Sequence, residues 1–333
     1  MAKVNWGIIG CGNIAHTFAK SIAHCSNAIL IGAASTNKQR AEKFSTHYNI
    51  TAYDNYQALI ECPHIDAIYI ANTHDQHFQS IAQCLAKSKH VLSEKPITVN
   101  SMQLQTLSTL AAQKNCFLME GVWTRFLPAI VELEHLLDKG VIGKIHSVQA
   151  NFSLAGSFAD SHRLMNPATA GGALLDLGIY PISIADIVFK TIPAHIKSFV
   201  YKSDTEVDER SVAIFDYGNG QFAQLSSALQ QHGPTEALIY GENGFIRLPN
   251  FVGAKEIELN ITGQTTQYLN YDFSDNENFK FEIIHASQCI LKQKNQSNVL
   301  PISTSLRVMD IMDTLRKQWQ LQYSPQIESN NLN

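Results

Sequence analysis

A short apolar run, Val4-Asn5-Trp6-Gly7-Ile8-Ile9, passes directly into Gly10-Cys11-Gly12-Asn13-Ile14-Ala15, and nothing else in the chain restricts its fold as strongly. The run fits a strand buried on both faces of a parallel sheet. A helical pattern through Phe18, Ile22 and Ala23 follows the glycines. Strand, Gly-x-Gly-x-x-Ala turn and helix together bring backbone N–H groups and the positive end of a helix dipole to one point, which suits a pyrophosphate. Gly10, Gly12, Asn13 and Ile14 are therefore candidate dinucleotide contacts. The plainer alternative is a glycine-rich turn without a ligand.

The pattern then repeats. Ile29 to Ala34 reads as a second strand, Lys38 to Tyr48 as a helix, and Thr51-Ala52-Tyr53 as a short strand with Asp54 as a helix cap. In an NAD site an acidic residue about 20 residues past the glycines holds the ribose 2′-hydroxyl. Here Ser35-Thr36-Asn37-Lys38-Gln39-Arg40 offers no carboxylate. Ser35, Thr36, Lys38 and Arg40 suit a 2′-phosphate, so NADP is expected, with NAD as the alternative. The rival reading leaves Lys38 and Arg40 on an exposed helix face. Ala67 to Ala71 is a fourth strand, ending in the polar loop Asn72 to His77. Asn72 and His77 thus fall at the carboxyl end of a strand, where open α/β sheets bind ligands, although His77 also fits the start of the next helix.

His90-Val91-Leu92-Ser93-Glu94-Lys95-Pro96 is a buried strand that ends in a charged pair and a proline. Pro96 stops the ladder, so Glu94 and Lys95 are expected at the same crevice. A helix from about Asn100 to Lys114 and a strand at Cys116 to Met119 complete an alternation of strands and helices that predicts a Rossmann-type, doubly wound parallel sheet.

The second half reads differently. A helix from Leu127 to Leu137 is followed by a strand from Ile145 to Ser153 and a loop from Phe152 to Pro167. Phe158, His162, Arg163 and Asn166 in that loop are of the kind that line a substrate pocket. A helix beginning at Gly171-Gly172 carries Asp176 and Tyr180, which at a spacing of four share one face. Alternating runs separated by Gly218-Asn219-Gly220 and Glu242-Asn243-Gly244 predict one large, mainly antiparallel sheet. Helical patterns near 276–292 and 304–321 follow, and the tail from Ser324 is expected to be loose. The boundaries expected are 1–122 for a nucleotide domain and 123–333 for a substrate and oligomerisation domain, with a return of the last helices to the first domain left open.

An alcohol–carbonyl dehydrogenase needs a nicotinamide beside the reacting carbon, a group to move the hydroxyl proton, and a donor or charge to steady the oxygen. Tyr180 is the candidate for the proton. An unperturbed tyrosine has a pKa near 10, so a cation such as Lys95 is needed to favour tyrosinate. Asp176 is placed to orient Lys95 or the substrate hydroxyl. Taken singly, Tyr180 fits an amphipathic core residue and Asp176 a helix-face charge.

The residues at 10–15, Glu94-Lys95-Pro96, and Gly171-Gly172-Ala173-Leu174-Leu175-Asp176-Leu177-Gly178-Ile179-Tyr180 together resemble the Gfo/Idh/MocA oxidoreductases, NAD(P)-dependent dehydrogenases of sugars, polyols and related carbonyl compounds. Glu120-Gly121-Val122-Trp123-Thr124-Arg125-Phe126 and the Tyr180 ending resemble the dimeric dihydrodiol dehydrogenase branch, which is NADP-dependent and includes bacterial sugar dehydrogenases. The resemblance implies catalysis by Lys95, Asp176 and Tyr180. It also places Arg125 close to the cofactor, and it favours a homodimer or a higher homo-oligomer; Trp123 is a candidate pocket wall and cofactor contact. Many relatives have His at the Tyr180 position, which leaves the base open. Trp123, Phe158 and Arg163 join the three catalytic candidates as expected substrate contacts, core aromatics and a surface ion pair being the alternatives.

A net charge of −4 offers nothing to a nucleic acid or an anionic membrane. No apolar run approaches the roughly 18 residues of a membrane span, and the chain enters its first strand without a signal-type apolar segment. The six cysteines are scattered, and the 13 histidines form no metal-ligand spacing. A cytoplasmic enzyme with a small-molecule substrate and no metal is expected. The competing readings are a non-catalytic dinucleotide sensor of the same fold and a biliverdin-reductase-like or imine-reducing enzyme.

Overall fold

The computed structural model describes residues 2–332. Two compact units are present: Met1–Trp123 with Phe273–Leu306 and Gln326–Asn333, and Thr124–Asp272 with Arg307–Pro325.

The first unit opens with β1 (Val4–Ile9), α1 (Asn13–Ile22), β2 (Ala28–Ala34), α2 (Lys38–Tyr48), β3 (Thr51–Tyr53), α3 (Tyr56–Ile60), β4 (Ala67–Ile70), α4 (His74–Ala86), β5 (His90–Glu94), α5 (Ser101–Gln113) and β6 (Leu118–Gly121). The strands form a six-stranded sheet in the order β3-β2-β1-β4-β5-β6, with every pairing parallel. The strand order reverses between β1 and β4, so the Gly10 turn and the Asn72 loop flank the switch point where such sheets take ligands. Ile8, Ile9, Ile68, Ile70, Val91 and Leu92 are all wholly buried, as strands covered on both faces require.

The second unit contains α6 (Pro128–Asp138), β7 (Ile145–Leu154), a π-helical segment at Leu174–Gly178 that runs into α7 (Ile179–Phe189), and strands β8 (His195–Lys202), β9 (Asp208–Gly218), β10 (Gln221–Leu229), β11 (Glu236–Gly241), β12 (Gly244–Leu248), β13 (Glu256–Ile261) and β14 (Gln267–Asn270). The eight strands run in the order β14-β13-β12-β11-β7-β10-β9-β8. Only the β7–β10 pair is parallel, and the register Val148↔Ala223 to Leu154↔Leu229 holds it. Three expectations are corrected here. β7 continues to Leu154, and helical turns at Arg163–Met165 and Pro167–Thr169 shape the segment read as plain loop. β14 went unread because it has only four residues and lies on the sheet's edge, with Tyr268 60% exposed. The helical stretch Pro167–Phe189, with mean hydropathy 1.6, is also long and apolar enough to cross a membrane. Its most apolar window is 89% buried within the protein, however, so its apolarity is used in core packing.

The chain then forms α8 (Lys280–Leu291) in the first unit and α9 (Ile302–Gln318), of which Ile302–Leu306 belongs to the first unit and the remainder to the second. Trp6 Nε1 donates to Ser287 Oγ of α8 at 3.0 Å. The tail is not loose: Gln103 Nε2 donates to the carbonyls of Ile327 (2.7 Å) and Ser329 (2.9 Å), and Asn100 Nδ2 to that of Glu328 (3.1 Å). Backbone carbonyls make these bonds, so the polar composition of the tail gave no sign of them.

Candidate active site

The Gly10 turn is built for close approach. Gly10 has φ +93°, and a Cβ there would lie 2.7 Å from the backbone of Ala71 and Asn72. Gly12 differs, since a Cβ on it would meet nothing within 4 Å. It is also the N-cap of α1, and no side chain caps that helix. Helix N–H groups without a side-chain acceptor, beside space free of protein, fit a dinucleotide pyrophosphate. Asn13 is exposed and Ile14 half-buried at the same helix start.

At the end of β2, Ser35 is buried and its Oγ accepts the Asn37 N–H at 3.2 Å. Thr36 and Arg40 are exposed. Lys38 Nζ lies 2.7 Å from Asp54 Oδ1 in a pair open to solvent, and hydrogen bonding to Asp54 raises the lysine's pKa. Asn72 Nδ2 donates to Ser80 Oγ at 2.8 Å.

At the end of β5, Glu94 is buried and accepts the Tyr69 hydroxyl at Oε1. Its Oε2 accepts the Lys95 N–H at 3.3 Å. Glu120 of β6 reaches the same loop, accepting the Ile97 N–H at 2.9 Å. His77 does not present its ring to the crevice. It is fully buried, with Nδ1 2.8 Å from the Pro96 carbonyl and Nε2 3.2 Å from the Asn72 carbonyl. It therefore ties the loops after β4 and β5 together, and Lys95, half-buried, sits in the loop so fixed.

Asp176 and Tyr180 lie in the second unit, 7% and 6% exposed. Asp176 falls in the π-helical segment and Tyr180 in the first turn of α7. The spacing of four thus straddles a change of helical pitch, a feature common at functional sites. Arg163 places Nη1 and Nη2 each 3.3 Å from Asp176 Oδ1, with its side chain 46% exposed. The Tyr180 ring packs edge-on to Phe152, centroids 5.7 Å apart. Phe158 stacks on His162 at 4.7 Å and packs on the core of Leu164, Met165, Ala173 and Leu177.

Two further candidates have structural partners. Trp123, in the first unit, packs against Phe279 with centroids 5.6 Å apart. Arg125, in the second, is buried with Nη2 2.6 Å from Asp186 Oδ2 and 3.3 Å from the Ser183 carbonyl, and Arg307 binds the other Asp186 oxygen. Asp186, six residues beyond Tyr180, went unread, although a carboxylate within so apolar a helix is itself a signal of a buried partner. Among the described residues no group of three or more His, Cys, Asp or Glu side chains is placed to hold a metal ion.

Residues 4–122 match the family model described as an oxidoreductase family with an NAD-binding Rossmann fold, and residues 130–247 match the GFO/IDH/MocA C-terminal domain. The chain is 32% identical over 330 residues to a trans-1,2-dihydrobenzene-1,2-diol dehydrogenase of Xenopus tropicalis, covering 96% of this chain and 98% of that one. It is 28% identical over 324 residues to the human protein of the same name, covering 94% and 96%. Among solved structures it is similar to KijD10, a 3-ketoreductase from Actinomadura kijaniata in complex with NADP and TDP-benzene, at TM-score 0.83 and 24% identity over 95% of this chain and 97% of that one. It is also similar to a levoglucosan dehydrogenase in complex with NADH and levoglucosan, at TM-score 0.87 and 16% identity over 97% and 99%. At these identities the two structures bear on the fold.

Proposed function

Because the chain belongs to the Gfo/Idh/MocA oxidoreductase family and has its NAD-binding Rossmann fold, we propose that it is an NADP-dependent dehydrogenase that exchanges a cyclic diol or sugar-like alcohol for its carbonyl form. The observation that carries this reading is that a chain matching the family over both domains keeps a lysine-proline step at the end of β5 and a buried aspartate and tyrosine at the start of one helix. The relatives named as dihydrodiol dehydrogenases and the ketoreductase bound to NADP support the substrate class and the cofactor. The absence of a carboxylate from Ser35 to Arg40 favours the 2′-phosphate.

Gly10, Gly12 and the first turn of α1 would hold the pyrophosphate, and Ser35, Thr36 and Arg40, with Lys38 once it leaves Asp54, would take the ribose end. The nicotinamide supplies the hydride acceptor or donor. Tyr180 moves the hydroxyl proton, Lys95 supplies the positive charge that steadies the oxygen, and Asp176 accepts from a substrate hydroxyl. Arg163, half-exposed, pairs with the Asp176 carboxylate and orients it. The enzyme acts in the cytoplasm as a homodimer formed through the outer face of β8, β9 and β10.

The experiment is a kinetic screen of aldoses, polyols, cyclic diols and dicarbonyls with NADPH and NADH, repeated on Lys95→Met and Tyr180→Phe. Turnover should fall by roughly 10³-fold or more in K95M, with NADPH affinity near the parent's. Y180F should lose the rise of oxidation rate with pH. Near-parental turnover in K95M would remove the assignment.

A further inference from the structure

One fully buried carboxylate stands at the head of the helix that carries Asp176 and Tyr180. The helical stretch there begins at Ala173 and Leu174, and no side chain close in sequence caps it. The first N–H groups of a helix need acceptors, and one facing the interior must find them within the protein. Asp208, the first residue of β9, is 0% exposed, and its Oδ2 accepts the Leu174 N–H at 2.6 Å. Gly172 makes the approach possible. It has φ +117°, and a Cβ there would lie 2.0 Å from Asp208 Oδ1.

The preceding residue is enclosed from other sides. A Cβ on Gly171 would fall 2.6 Å from the Arg163 carbonyl and 2.7 Å from that of Leu164. Its carbonyl accepts the buried Tyr323 hydroxyl at 2.8 Å, and the Gly172 N–H donates to Leu164 O at 2.8 Å. The glycine pair is thus locked between a strand, a loop and the chain after α9. Burial pushes the Asp208 carboxyl up, and with the opposing pull of the Leu174 N–H and the Arg316 guanidinium it stands at about 7. A carboxylate at a helix N-terminus is in the favourable end of the dipole.

We propose that Asp208 is a positioning residue: by capping this helix from a neighbouring strand it sets the depth and rotation at which Asp176 and Tyr180 are presented. The inference rests on the roles proposed for those two residues above. No local motif announces it, because donor and acceptor are 34 residues apart.

The test compares full-length Asp208→Ala and Asp208→Asn with the parent. Amide hydrogen exchange at Leu174 reports on the cap without any turnover. It should quicken by roughly tenfold or more in D208A, and by less in D208N, whose carboxamide oxygen still accepts. The kcat should fall by roughly tenfold or more in D208A and recover in part in D208N, while the Kd for NADPH stays at the parent's value. Parent-like exchange at Leu174 in D208A overturns the proposal, and so does fast exchange with a parental kcat. Should D208A fail to fold, Asp208→Leu, which keeps the side chain's bulk without an acceptor, decides: exchange at Leu174 faster than the parent's supports the cap, and parental exchange overturns it. If the parent turns over no carbonyl compound with either cofactor, the functional reading falls, and Leu174 exchange still decides whether Asp208 holds the helix.

Discussion

A neutral imidazole has one donor, yet the ring of His77 faces two carbonyls, those of Pro96 and Asn72. Burial lowers its pKa from 6.5, and the two carbonyls only partly offset this. The sign of the resulting pH dependence follows. In the unfolded chain the ring takes up a proton as pH falls through about 6.5, while in the folded protein it resists until lower pH. The unfolded state therefore binds more protons below that point, and His77 contributes stability above about pH 6.5 that is lost as pH falls further. Urea unfolding should show the parent losing stability relative to His77→Gln between about pH 7 and pH 5, and a flat difference would count against a neutral buried ring. His77→Ala should cost about 2–4 kcal/mol, from the cavity and the carbonyl left without its donor. Lys95 was legible because an apolar strand stops at a proline, a local signal. The role of His77 was not, because its partners are backbone atoms of other loops. The same holds for Arg125, whose partner Asp186 lies 61 residues away.

Among the elements, the two glycine turns make opposite predictions from one kind of measurement. Gly12→Ala adds a methyl into open space at φ −85°, so stability should change by no more than about 0.5 kcal/mol. The methyl would occupy room needed by the pyrophosphate, and NADPH affinity should drop by roughly tenfold or more. Gly172→Ala must adopt φ +117° and displace Asp208, so the penalty should be about 3 kcal/mol or more, read as a fall in the urea midpoint. If G12A binds NADPH as the parent does, the glycine loop is a turn without a ligand. Apolar runs and periodicity revealed the elements that bury a face, including the buried strands of the parallel sheet; β3, with Thr51 and Ala52 exposed, was read as a short strand without that signal. Periodicity missed β14, and it mistook the start of the Asp176 helix for regular α-helix, because pitch depends on packing against distant parts of the chain and not on the local pattern.

Across the whole molecule, the eight-stranded sheet offers its own argument for a second copy. Its inner residues Val148, Ala150, Phe215, Ala223 and Leu225 are buried, as a face covered by α7 requires. On the opposite side β8 alternates regularly, exposing Phe199 by 77% and Tyr201 by 54%. The register sets Phe199 against Val212 and Lys197 against Ile214, and β10 adds Phe222. Val212, Ile214 and Phe222 are 39%, 42% and 44% exposed, so the apolar surface is a continuous patch on adjacent strands. Such patches are uncommon on monomers, and an exposed apolar sheet face suits a two-fold interface in which each residue acts twice. A stable dimer of this kind buries about 1,200–2,000 Å². Sedimentation equilibrium should therefore find twice the 37.0 kDa chain mass. Phe199→Asp puts two carboxylates into one apolar interface and should shift the population to monomer at micromolar concentration, with the fold unchanged by circular dichroism. A parent that sediments as a monomer, or an F199D variant that stays dimeric, would move the interface elsewhere or abolish it.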